Sequence, residues 1–258
     1  MCTVNPEMTV VEDRVLDNKS GRTGTVFEID PLQDPRWRAF VERHSDASVF
    51  HRVEWLYALK SCYGYVPRAV TLSPPGSALE NALVFCEVRS GLTGKRLVSL
   101  PFSDHTEPLA NSSDEIDVLV ASLAGKVDDQ KWKYFELRPI LRPPSPNSGL
   151  GVSNTYYFHQ LDLRSSEQVL LRSFHKDCVR RKIRRAEREC LRYEEGRSES
   201  LLNHFYKLLI MSRRRQGLPP QPLNWFRALI DCVGKDVQIR VAFKNDLPVH
   251  VSNLPSKY

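Results

Sequence analysis

Trp55-Leu-Tyr-Ala58-Leu59-Lys-Ser-Cys62-Tyr-Gly64 recurs later in the chain as Trp225-Phe-Arg-Ala228-Leu229-Ile-Asp-Cys232-Val-Gly234. Both stretches read W-x-x-A-L-x-x-C-x-G. Their apolar residues fall at helical spacing, and the closing glycine is a helix stop signal. Each stretch follows another amphipathic segment and precedes an alternating apolar run that reads as a strand. Trp, Ala and Leu favour any amphipathic face, so two unrelated helices could also show this match. Read as a repeat, it predicts two copies of one helix–helix–strand–strand unit within a mixed α/β fold.

The rest of the chain fits around these copies. Residues 1–24 are polar and read as a loose lead-in. A first domain over 25–141 opens with a strand at Thr25–Asp30 and a helix entered at Asp34-Pro35. Strands follow over Val66–Leu72, Asn81–Arg89 and Lys95–Leu100, then a helix over Asp114–Ala124 and a strand over Trp132–Leu137. The stretch 142–154, rich in Pro, Ser and Gly, reads as a linker. A second domain over 155–258 begins with a strand at Tyr156–Leu163. It continues with helices capped by Ser165 and Ser198, the Trp225 helix, and a hairpin turning at Asn245-Asp246. Val237, Ile239, Val241 and Phe243 alternate on its first strand, and Leu247, Val249 and Val251 on its second. After Gly234 only this hairpin fits, so the second copy is expected to be incomplete by roughly 50 residues, and the tail from Asn253 shows no further element.

With 258 residues, 41% of them hydrophobic and 26% charged, the composition is that of a soluble globular protein. It excludes disordered, collagen-like and disulfide-scaffold classes. No run approaches the ~18 apolar residues of a membrane span, and no secretory signal is visible. Six cysteines without a C-x-x-C pair suggest reduced thiols in the cytosol and no zinc site or other metal. The motifs G-x-x-x-x-G-K-[ST], G-x-S-x-G and H-E-x-x-H are absent, as is the [RQ]-x-x-G-x-[GA] loop that cradles the pyrophosphate of acetyl-CoA.

Charge is distributed unevenly. The net charge of +6 equals the excess of the stretch from Arg172 to Arg192, which holds nine Lys/Arg and three acids. A basic helix is expected over Phe174–Cys190, with Phe174, Cys178, Ile183, Ala186 and Cys190 turned to a core. Lys176, Arg180, Arg184 and Arg188 are spaced by four and stack along one face, and Arg181 and Arg185 form a second pair. Like charges at this spacing cost roughly 0.2–0.5 kcal/mol per pair. A phosphate, a nucleotide sugar or RNA would offset the repulsion. A solvated face, or pairing with acids elsewhere in the fold, would also account for the run. Arg213-Arg214-Arg215 either joins this surface or complements the dipole of its own helix.

Leu100-Pro-Phe-Ser103-Asp104-His105 follows a strand end and places a hydroxyl, a carboxylate and an imidazole together. Strand ends of α/β folds often hold ligands. Adjacent extended residues point apart, so a capped turn is the competing reading.

Three stretches together carry a family likeness: Ser99–His105, Phe174–Arg188, and Arg213–Pro222 followed by Trp225-Phe226. Over roughly residues 25–249 the chain resembles the FemAB-like proteins. These are relatives of the peptidoglycan-bridge aminoacyltransferases, also described as carrying a BioF-like acetyltransferase domain of the GNAT superfamily. The resemblance implies tandem GNAT-like domains and transfer of an acyl or aminoacyl group to an amine of a cell-envelope or polysaccharide precursor. It implies no tightly bound cofactor, with acyl-CoA or aminoacyl-tRNA as donor, an anionic precursor as partner and tRNA as a further one. By motif match it points to Arg180, Arg181, Arg184 and Arg185, with Lys176 behind them, as anion contacts, and to Ser103, Asp104 and His105 as pocket-lining residues. No catalytic base is assigned. The likeness fades from Val249 onward, so a shortened second domain with impaired catalysis is expected. The alternative is a nucleic-acid- or anion-binding module resting on the basic helix alone.

Overall fold

The first helix starts where Asp34-Pro35 places it. In the computed structural model of the chain, which describes residues 4–13, 25–91, 94–159 and 161–255, the Asp34 carboxylate accepts the Arg36 amide at 2.9 Å and the Arg36 guanidinium at 2.7 Å. Helix α1 then spans Arg36–Arg43. Ser48 begins a 3-10 turn, Val49–His51, through a capping box closed by His51. Helix α2, Val53–Tyr63, ends at Gly64, whose φ of +67° is the left-handed cap that glycine adopts without strain.

The chain divides into two compact units, Asn5–Phe158 and the residues from His159 onward. The first contains β1 (Val4–Asp13), β2 (Phe27–Ile29), β3 (Val66–Thr71), β4 (Leu83–Ser90), β5 (Gly94–Val98), α3 (Ser113–Asp129), β6 (Phe135–Glu136) and β7 (Leu150–His159). Strands β2 to β6 form one sheet in sequence order, antiparallel except for the parallel pair β5–β6. Strand β4 is buried on both faces. Leu83 and Phe85 meet Ile116, Leu119, Val120 and Leu123 of α3, while Val84 and Cys86 are buried on the opposite face and α2 lies along β3. Strand β1 pairs with β7 in a separate two-stranded sheet. The lead-in expected to be loose therefore contains a strand; its remainder lies outside the described residues. The stretch 142–154, expected as a linker, falls within this first unit. It holds a 3-10 turn at Pro146–Ser148 and the start of β7, which begins before the expected strand at Tyr156 and ends before Leu163.

The second unit contains α4 (Glu167–Ser173), a π turn at Lys176–Arg180, α5 (Arg181–Arg188), β8 (Arg192–Gly196), α6 (Glu199–Arg215), α7 (Leu223–Val233), β9 (Val237–Lys244) and β10 (Leu247–Pro255). The cap of α4 is Ser166, and its side chain makes no capping bond, so the capping box expected at Ser165 does not form. Ser198 does cap α6, accepting the Leu201 amide at 3.2 Å. Val237, Ile239, Val241 and Phe243 are all buried along one face of β9, under Leu201, Leu202 and Phe205 of α6 and Trp225, Phe226 and Leu229 of α7. Asn245 and Asp246 both hold positive φ, which makes the connection to β10 a type I′ hairpin turn. A register shift between Pro248 and His250 breaks the alternation expected on β10, and Leu247 and Val249 are exposed. The tail from Asn253 continues β10 to Pro255 instead of leaving the sheet.

The same order of elements occurs in both units. Strand, helix, helix, strand, strand runs as β2-α1-α2-β3-β4 in one and β8-α6-α7-β9-β10 in the other. In each the three strands are antiparallel neighbours in sequence order. The repeated motif is α2 with its cap in one unit and α7 with its cap in the other. Trp55 and Trp225 are buried, as are Leu59 and Leu229. Gly64 and Gly234 both take positive φ. No helix among the described residues is long and apolar enough to cross a membrane.

The core of each unit sets its stability. Phe85→Ala, at a fully buried position between sheet and α3, is expected to cost about 3–5 kcal/mol, and Ile239→Ala about 2–5 kcal/mol. Urea denaturation checks both, read as a lower midpoint at unchanged slope.

Candidate functional site

Where β5 leaves the sheet, the parallel pairing with β6 is interrupted and resumed. Ser99 N–H donates to Glu136 O at 2.8 Å, and Thr106 N–H donates to Arg138 O at 2.9 Å. Residues 100–105 are an excursion between these two bonds. Leu100 and Phe102 hold φ of 50° and 64°, which costs energy for residues with a Cβ. Side chains hold them there. Ser103 Oγ donates to Leu100 O at 2.6 Å and lies 3.0 Å from Thr106 Oγ1, while Arg138 Nη1 donates to Ser103 O at 3.0 Å. The Phe102 ring packs against Tyr63, with centroids 4.7 Å apart, and Tyr63 stacks on Tyr65 at 5.2 Å.

The three polar residues singled out in this loop face different surroundings. Ser103 is buried, its hydroxyl committed to the turn. Asp104 is exposed. His105 is half-buried, its ring edge-on to Phe50 at 5.4 Å and Phe158 at 6.0 Å. Burial lowers the His105 pKa against the opposing pull of Glu107 and Asp104. Its Nδ1 is buried without a hydrogen-bond partner. No hydrogen bond joins the three residues to one another among the described residues. Chemically the loop offers one neutral imidazole with unused capacity, an exposed carboxylate beside it, and a rigid backbone.

Two further residues support the loop and escape a reading by motif. His51 is fully buried. The Ser48 amide donates to its Nδ1 at 3.1 Å, so the ring proton resides on Nε2, which donates to Glu107 O at 3.0 Å. The Glu107 carboxylate accepts the successive amides of Ile140, Leu141 and Arg142. A capping box with His in the place of Glu or Gln at Ser48–His51 was the one local signal for His51. Nothing adjacent in sequence marks Glu107, because its partners lie some thirty residues away.

In the second unit, the basic stretch is not one helix with a buried face. Phe174 is extended, and His175 Nδ1 accepts the amides of Asp177 and Cys178 to start a new helical run. That run opens as a π turn, with Arg180 N–H reaching His175 O, and continues as α5. The wider turn shifts Lys176 around the axis relative to the row Arg180, Arg184 and Arg188. No residue of this run is buried: Cys178, Ala186 and Cys190 are exposed, and Ile183, like Phe174 before it, is half-buried. The expected core face is therefore absent. Arg185 pairs with Glu189 at 3.7 Å, and Glu189 also binds Lys244, which holds its carboxyl below the usual range. Lys176, Arg180, Arg181 and Arg184 form no ion pair or side-chain hydrogen bond among the described residues. Arg213, Arg214 and Arg215 occupy the last turn of α6.

Burial holds the His51 imidazole down at about 4, with the bonds to Glu107 and Ser48 offsetting only part of the effect. Unfolded, the ring takes up a proton near 6.5. Between these values the unfolded chain binds more protons, so stability rises with pH there and is lost on acidification. The contribution is roughly 3 kcal/mol. His51→Gln is expected to flatten the stability profile between pH 7 and 4.5. Depressed His44 and His105 leave a residual slope of the same sign, and urea midpoints across that range read both.

No protein-family model matches the sequence, and no curated protein matches it. A solved structure does. The crystal structure of FemX superimposes with a TM-score of 0.53 at 12% identity, covering 84% of this chain and 57% of the FemX chain. The chain thus spans less than two thirds of the length of that protein. Identity at this level carries the fold alone: the chain has a mixed α/β, FemAB-like fold.

Proposed function

We propose that the chain is a FemAB-like transferase built of two GNAT-like halves. It passes an acyl or aminoacyl group to an amine of an anionic cell-envelope or polysaccharide precursor. Arg180, Arg181 and Arg184, with Lys176 and Arg185 beside them, hold the anionic part of the precursor. Asp104 and His105 are offered to the reacting groups from a loop that Ser103, Glu107 and Arg138 keep rigid. In such a transfer the amine attacks the acyl carbonyl, the tetrahedral oxyanion collapses, and a thiol or hydroxyl leaves. The rate comes mainly from positioning and from donors to the oxyanion. A rigid loop suits that task.

The observation that carries this reading is the row of cations left without carboxylate partners on a chain with a FemX-like fold. Guanidinium groups bind phosphate and carboxylate in a bidentate, charge-assisted way. The Arg180→Gln/Arg184→Gln variant removes two such contacts from positions outside any core. It is expected to lower kcat/KM on the order of 100-fold while leaving the far-ultraviolet dichroism and melting temperature unchanged. The assay offers labelled acyl-CoA and labelled aminoacyl-tRNA as separate donors to an amine-bearing, phosphate-linked precursor. Absence of transfer from both donors, or an unaffected double variant, overturns the reading.

A further inference from the structure

Residues 161–190 combine exposed aliphatic surface and unpaired cations on helices that, unlike α6 and α7, bury nothing. Helices α4 and α5 bury no residue, whereas α6 and α7 bury Leu201, Leu202, Phe205 and Trp225. Leu163 and Val169 are 71% and 54% exposed, and Leu161, Leu171 and Val179 are exposed as well. Arg172, Lys182 and Arg188 join the four cations described above in making no ion pair or side-chain hydrogen bond among the described residues.

Helices this short are marginal in water unless something packs on them. Here no core does so, and a single acidic neighbour, Glu189, pairs with α5. We propose that residues 161–188 form a docking surface for a bilayer that carries anionic headgroups. The leucines and valines enter the headgroup–acyl boundary, and Arg172 and Lys182, which are not assigned to the precursor, neutralise phosphate groups around them. This inference does not depend on the transferase reading.

The residue types favour a bilayer over two other occupants. Single-stranded nucleic acid is gripped by stacking on aromatic rings, and the exposed apolar side chains of this stretch are all aliphatic. A second copy of the chain, docked by the same face, would set the arginine row against itself.

Cosedimentation of the full chain with vesicles tests the idea. Vesicles of phosphatidylcholine with phosphatidylglycerol are expected to bind it, and vesicles of phosphatidylcholine alone to bind far less. Arg172→Gln/Lys182→Gln is expected to weaken binding on the order of 30-fold. Leu163→Asn/Val169→Asn/Leu171→Asn is expected to weaken it by roughly tenfold or more. All five positions lie outside the residues assigned to substrate, so transfer to a soluble acceptor is expected to persist in both variants. The proposal is overturned if phosphatidylglycerol makes no difference, or if the aliphatic variant binds vesicles like the parent. It is equally overturned if polyuridine binds more tightly than the vesicles and the aliphatic substitutions leave that binding unchanged, which would assign the surface to nucleic acid.

Discussion

Glu107 is only 4% exposed, and a buried carboxyl group is tolerated only when its oxygens have hydrogen-bond partners. Three consecutive amides fill them, those of Ile140, Leu141 and Arg142. The same residue's carbonyl takes the Nε2 proton of His51. Glu107 therefore fastens three segments that are distant in sequence: the turn that leads into α2, the end of the excursion after β5, and the chain leaving β6. Arg142 extends the arrangement, pairing with Asp46 at 3.2 Å and donating to Ala110 O. The excursion is thereby fixed at both ends, by Ser99 against Glu136 and by Thr106 and Glu107 against 138–142. That is why Leu100 and Phe102 can hold left-handed backbone: the surroundings over-determine the loop, and the strain has no route of release.

The two units use one order of elements but fasten it differently. In the first, the repeated helix is preceded by a buried histidine and followed by a sheet covered on both faces. In the second, the sheet is covered on one face by α6 and α7. The other face carries pairs such as Arg240 with Glu195 and Tyr193 with Glu195. Burial pattern follows from this: β4 is buried continuously over Leu83–Cys86, whereas β9 alternates strictly. Sharing one order of helices and strands does not oblige the two units to share their polar fastenings.

Features governed by local rules were legible in the sequence. The W-x-x-A-L-x-x-C-x-G pair located α2 and α7 with their caps, alternation located β9, and Asn245-Asp246 located its turn. Features governed by distant partners were not. His51 and Glu107 depend on amides and carbonyls far along the chain, and no spacing announces them. The basic stretch shows a different limit. Phe174, Cys178, Ile183, Ala186 and Cys190 do fall at helical steps, but periodicity reports only that a face exists, not what covers it. The π turn that His175 starts then alters the steps themselves. On β10 a single bulge undid an alternation that the composition allowed.

The cations of residues 172–188 stand apart from those of the first unit. There, Arg36 sits on Asp34, Arg38 on Glu54, Lys126 between Glu28 and Glu87, Arg138 on Glu136 and Arg142 on Asp46. Six acids of that unit thus sit beside basic groups. Along α5 only Arg185 receives one. Like charges spaced by four destabilise a helix by roughly 0.2–0.5 kcal/mol per pair, and a short helix without a buried face has little else to set against that loss. A row that repels itself on a helix without a buried face is best explained by an anionic partner that completes it. The exposed leucines and valines around it then narrow the chemistry of that partner to one that is apolar as well as charged.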